Sequence, residues 1–164
     1  MGRRLRSQIK TPNLFFVTTT FVDRTRMLNE ERLYDEVENL LFSVAFAKID
    51  SLMGYILMPS HVHLLAGCSL GGLQLSEFMR SFKSLVARQV FPGVASVWMK
   101  RFDDLIIKTD RQFQIKLNYI HNNPVRVGLV DSPVKWRWSS VRFWIGDEPH
   151  QVLRKDWDWL SRGI

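Results

Sequence analysis

Apolar positions change their spacing several times along the chain, and each change marks a different element. Leu14-Phe15-Phe16-Val17-Thr18-Thr19-Thr20-Phe21-Val22 is aromatic and β-branched with little alternation, which predicts a central strand partly buried on both faces. Leu33, Val37, Leu40, Leu41, Val44 and Ala45 recur at steps of three and four, predicting an amphipathic helix from an Asn29 cap to about residue 48. Ser51 to Met58 and His61 to Gly67 read as a hairpin with Pro59 in the turn, since proline cannot donate to a ladder. Gly71-Gly72 opens a second helix with Leu75, Phe78, Met79, Phe82, Leu85, Val86 and Val90 inward, and Phe91-Pro92-Gly93 ends it. Val97 to Lys108 reads as a fourth strand bent at Asp103-Asp104.

This order, β-α-β-β-α-β, predicts an α+β, ferredoxin-like antiparallel sheet with strands one and three central and both helices on one face. A further helix follows. Thr109 and Gln112 match a capping box that starts it at residue 110. Phe113, Leu117 and Ile120 form its buried stripe. At 100° per residue, Gln112, Lys116, Tyr119 and Asn123 border that stripe while His121 falls on the far side, a position for a neutral control. Pro124 disfavours helix in the residue before it, so the helix should end near Asn123.

Size and charge then narrow the picture. At 164 residues and 46% hydrophobic the chain is long enough for one folded domain: a basic arm over 1–12, a core over 14–123 and an extension over 124–164. A formal charge of +7 favours an anionic partner such as nucleic acid. Arg3 and Arg4 in the arm, Arg80 and Lys83 on the second helix, and Arg101, Lys116, Arg126, Arg137 and Arg142 further on are the candidate phosphate contacts. Trp136, Trp138, Trp144, Trp157 and Trp159 lie among cations, as stacking faces for bases or as a packed cap. No apolar run suggests a membrane span or signal peptide, so a cytoplasmic, nucleoid-associated protein is expected.

The chemistry-bearing stretch is Met58-Pro59-Ser60-His61-Val62-His63-Leu64-Leu65. On a strand, His61 and His63 project from one face, which makes them half a metal site or two half-buried strand histidines. The lone cysteine, Cys68, excludes an internal disulfide and falls on the opposite face, so a thiolate ligand and zinc rank low.

Together with Tyr119-Ile120-His121-Asn122-Asn123-Pro124-Val125-Arg126-Val127-Gly128, that stretch resembles the paired signature of the HUH single-tyrosine transposases, the REP-associated branch in particular. Phe82-Lys83-Ser84, the run from Val97 to Phe102 and Trp136-Arg137-Trp138-Ser139-Ser140 support the likeness, which covers about residues 14 to 145. Ser60 departs from the family's usual asparagine. The resemblance implies a magnesium or manganese ion held by His61, His63 and Asn123, and Tyr119 as the nucleophile on single-stranded or hairpin DNA. It implies a 5′-phosphotyrosine and a free 3′-hydroxyl, then rejoining without ATP. A phenol with the ordinary pKa near 10 needs a nearby cation or base for this. The resemblance allows a homodimer that exchanges tyrosine helices; the short connection into the tyrosine helix favours a monomer. A non-catalytic nucleic-acid-binding module and a rolling-circle nickase are the alternatives.

Overall fold

The computed structural model describes residues 6–156, so Arg3, Arg4, Trp157 and Trp159 lie outside the described residues. β1 (Asn13–Thr20), β2 (Ser51–Leu57), β3 (His61–Cys68) and β4 (Asp103–Ile107) form one sheet in the order β2-β3-β1-β4. All neighbours are antiparallel, and strands one and three are central as expected. Among the described residues no helix is long and apolar enough to cross a membrane.

Strand alternation sorts the side chains into two cores. Phe15, Val17, Val62, Leu64, Ala66 and Cys68 face α1 (Glu31–Lys48) and α2 (Gly72–Leu85). Leu14, Phe16, Met53, Ile56 and Leu65 face α3 (Asp110–Arg126) through Phe113, Leu117 and Ile120. Each buried side chain of this kind is worth about 1.5–3 kcal/mol, so burial rather than propensity holds a helix that contains Asn118, Asn122, Asn123 and Pro124. α3 thus lies on the face that carries the two histidines, opposite α1 and α2.

Several expectations are corrected. α1 starts from Glu30, whose carbonyl accepts the Leu33 N–H at 3.1 Å, so Asn29 is not its cap. The fourth strand is shorter than read, because Trp98 stacks on Phe21 at 4.2 Å and bridges it instead of continuing the ladder. α3 runs through Pro124: in a last turn proline forfeits only one bond, to the Ile120 carbonyl. The stop is Gly128 at φ 78°, with Leu129 N–H on the Pro124 carbonyl at 2.9 Å and Gly128 N–H on the Val125 carbonyl at 3.0 Å, a Schellman cap. From Arg6 onward the basic arm is docked on the domain, Arg6 pairing with Asp104 and covering Phe102. A Cβ on Gly72 would lie 2.1 Å from the Arg6 carbonyl oxygen, so glycine there lets that segment pass.

The extension caps both cores. Trp138 stacks on Tyr34 at 4.3 Å in the first, and Trp144 joins Phe113 in the second before the short α4 (Val141–Ile145) ends. The indoles of Trp136, Trp138 and Trp144 donate to Leu57, Asp35 and Met53, which commits them to packing rather than to stacking bases.

Candidate active site

Ladder register builds the site. Thr18 pairs with His63 and Thr20 with His61, so four side chains project together over the second core. The two imidazole centroids are 4.7 Å apart, and α3 brings the Tyr119 ring within 5.3 Å of His63. Phe16 stacks on His63 at 5.4 Å and meets Tyr119 edge-on at 6.0 Å, fixing both rings against the sheet. The 100° stripe had therefore put Tyr119 on the correct side.

Each imidazole leans on a hydroxyl through Nδ1. Thr18 Oγ1 lies 2.8 Å from His63 Nδ1, and Ser60 Oγ 3.1 Å from His61 Nδ1. His63 Nε2 is buried and has no hydrogen-bond partner. Burial, then the His61 and Lys116 charges, push the His63 pKa down to about 3; burial and Arg24 lower that of His61. Both rings are thus neutral and have lone pairs to offer near pH 7. Asn123 is buried one turn beyond Tyr119. Among the described residues no three His, Cys, Asp or Glu side chains gather as a metal site, so a third protein ligand beside the two histidines would have to be of another type, such as an amide.

Cations surround the tyrosine. Lys116 Nζ is 4.6 Å from the Phe16 centroid and 5.6 Å from that of Tyr119, and the Arg126 guanidinium carbon is 5.0 Å from Tyr119. Of the cations expected at DNA, these two flank the tyrosine. Arg80 and Lys83 ride on α2, across the sheet from the histidines. Arg80 lines a shallow cleft with Lys48 and Arg88 and reaches Glu77 at 3.8 Å. Lys83, expected among the phosphate contacts, donates to the Met99 carbonyl at 3.0 Å beside Trp98, and burial lowers its pKa. Arg101 is exposed. Arg137 reaches Asp35 of α1 at 3.1 Å, and Arg142 donates to the Val134 carbonyl at 3.1 Å within the extension.

His121, read as a far-side position, is buried because the extension closes over it, with Nε2 2.9 Å from Ser140 Oγ. Sequence reasoning missed Thr18, Phe16 and Arg24. Asp23 and Arg24 hold φ of 52° and 55°, a left-handed pair uncommon outside glycine, where β1 leaves the site beside His61. The β-branched composition of β1 signalled a strand, but the pairing that sets Thr18 opposite His63 joins segments 45 positions apart.

No protein-family model matches the chain. A REP-associated tyrosine transposase of Escherichia coli K12 is 22% identical over 140 residues, spanning 85% of this chain and 82% of the relative. The chain is thus similar, over most of its length, to REP-associated tyrosine transposases. A Haemophilus influenzae KW20 protein provisionally given the same name is 22% identical over 156 residues, covering 88% and 86% of the two chains. Their fold is shared as well. A solved REP-associated tyrosine transposase bound to a REP hairpin superposes with TM-score 0.75 at 20% identity, over 95% of this chain and 98% of that one.

Proposed function

We propose that this protein is a metal-dependent single-strand DNA endonuclease and strand transferase of transposase type, acting at hairpin-forming elements. The observation that carries the reading is the buried, unpartnered His63 Nε2 beside the Tyr119 ring, 5.3 Å between centroids. The curated relatives are named transposases, and a solved one binds a REP hairpin, which supports hairpin DNA as partner.

His61 and His63 suit a divalent ion, because both are neutral and each has Nδ1 engaged, leaving Nε2 for ligation. Asn123 is assigned as the amide ligand and magnesium or manganese as the ion. When bound, such an ion would polarise the scissile phosphate and neutralise charge on its non-bridging oxygens. Tyr119 Oη attacks phosphorus in line; the bond to the 3′-oxygen breaks, that oxygen takes up a proton from solvent in place of the one the phenol gives up, and a 5′-phosphotyrosine and a free 3′-hydroxyl remain. Lys116 and Arg126, both against the tyrosine ring, hold the charged phosphate there. A second 3′-hydroxyl then attacks the phosphotyrosine and releases Tyr119, rejoining the strand with no nucleotide cofactor. We assign the tyrosine in cis within a monomer, and a nucleoid-associated location.

The test uses a labelled single strand bearing a palindrome from the DNA beside the gene, with manganese. Wild type is expected to form a covalent protein–DNA adduct, and Tyr119→Phe to bind the strand and form none. Binding by wild type without any adduct would overturn the enzymatic reading in favour of a binding module.

A further inference from the structure

The hydroxyl opposite His63 does more than fill the ladder. Thr18 Oγ1 sits 2.8 Å from His63 Nδ1. Nε2 is buried and has no hydrogen-bond partner. A neutral imidazole carries one N–H, and only the Nδ1 side has an oxygen to receive it, so the ring hydrogen belongs on Nδ1 and is donated to the Thr18 hydroxyl. The opposite tautomer would bury an N–H without an acceptor, which folded proteins rarely tolerate. Phe16, stacked on the ring at 5.4 Å, stops it from turning over to exchange the two nitrogens.

We infer that Thr18 is the positioning residue of the site: its hydroxyl holds His63 as the Nδ1–H tautomer and so leaves Nε2, buried and without a hydrogen-bond partner, bare of hydrogen. This rests on the proposed metal reading and deepens it, because only a nitrogen without hydrogen can ligate. Ser60 stands in the same relation to His61, but from the adjacent residue at 3.1 Å, whereas Thr18 reaches from the neighbouring strand. Thr19 supplies an internal control. Its hydroxyl is buried on the other face of β1 with no partner, so removing it should be neutral or stabilising.

The experiment uses the full chain with ¹⁵N-labelled histidine and no metal. Long-range ¹H–¹⁵N correlations should place the His63 hydrogen on Nδ1 in wild type, Thr18→Ser and Thr19→Val, and shift it to Nε2 in Thr18→Val. Manganese titration by calorimetry should then show affinity about 10- to 100-fold weaker in Thr18→Val, rescued by Thr18→Ser and unchanged in Thr19→Val. Thermal unfolding of each variant shows whether it is folded, and Thr18→Ala, which also lacks the hydroxyl and should shift the hydrogen in the same way, answers the question if Thr18→Val is not. Hydrogen on Nε2 in wild type, or an unaltered tautomer in folded Thr18→Val, overturns the inference. A tautomer that shifts as stated in a wild-type protein that binds no manganese supports the role of Thr18 and overturns the metal reading instead.

Discussion

His121 Nε2 and Ser140 Oγ meet at 2.9 Å in a buried contact that ties α3 to the extension. The same serine hydroxyl accepts the Tyr55 N–H at 3.0 Å, and its own N–H donates to the Tyr55 carbonyl at 3.0 Å, so three segments share one polar node. Removing one partner of a buried bond leaves the other unsatisfied, at about 1–3 kcal/mol. His121→Ala is therefore expected to lower stability by that amount and to lose activity only as folded protein is lost. Urea unfolding decides it: wild-type stability in the variant would mean the node contributes nothing.

Buried histidines should also make the fold acid-sensitive. His63 and His121 are lowered from 6.5 to about 3 and about 4, chiefly by burial, and stay neutral in the fold where the unfolded chain binds protons. The unfolded state thus holds more protons below pH 6.5, and stability, full above that value, falls toward pH 3–4. Glu38, raised by burial, opposes with a single proton. The urea midpoint at about pH 5 should lie below that at about pH 7.5, and the difference should shrink in His63→Gln/His121→Gln. Equal midpoints in wild type would contradict the assigned burial.

Lys116 and Arg126 offer a test of charge at the nucleophile. Lys116→Met and Arg126→Met keep the aliphatic stems against Phe16 and Tyr119 while deleting the cation. Each should slow adduct formation about ten- to a hundred-fold and weaken strand binding less. Equal losses in binding and in rate would make them simple phosphate anchors.

Gly54 sets how closely α3 approaches β2. A Cβ there would lie 3.1 Å from Leu117 Cδ1 and 3.2 Å from Leu65 Cδ1, inside a packed core. Alanine relieves about 0.5–1 kcal/mol of chain entropy, whereas overpacking costs about 1–3 kcal/mol, so Gly54→Ala should be net destabilising. Because Leu117 and Tyr119 share a helix, the adduct yield should fall with it. A variant as stable and active as wild type would show that Leu117 gives way freely.

What could be read in advance was local. The period-2 spacing of His61 and His63, the helical stripe through Lys116 and Tyr119, and the Thr109 cap, seen as a Gln112 N–H bond at 3.1 Å, depend on neighbours within a few residues. Thr18 escaped because strand register between distant segments leaves no local mark. Pro124 was read as a stop where Gly128 performs that task, since the cost of a proline depends on how many bonds remain beyond it. His121 and Lys83 were misplaced for one reason: helical periodicity says which side of a helix faces the sheet, not what later chain folds over the others.

The border strand β2 has a final consequence. Its Leu57 N–H donates to the Trp138 carbonyl at 2.9 Å, Ile56 bridges Ser139, and the Leu52 carbonyl accepts the Arg154 N–H at 3.1 Å. An uncovered border strand is a template for sheet growth between molecules. Here the chain has laid its own tail along the template. A second copy cannot extend the sheet past β2 unless residues 138–154 are first peeled away, which would tear Trp138 and Trp144 out of both cores. Assemblies that merge two sheets edge to edge are thereby barred on this border, and so is fibrous self-association through it.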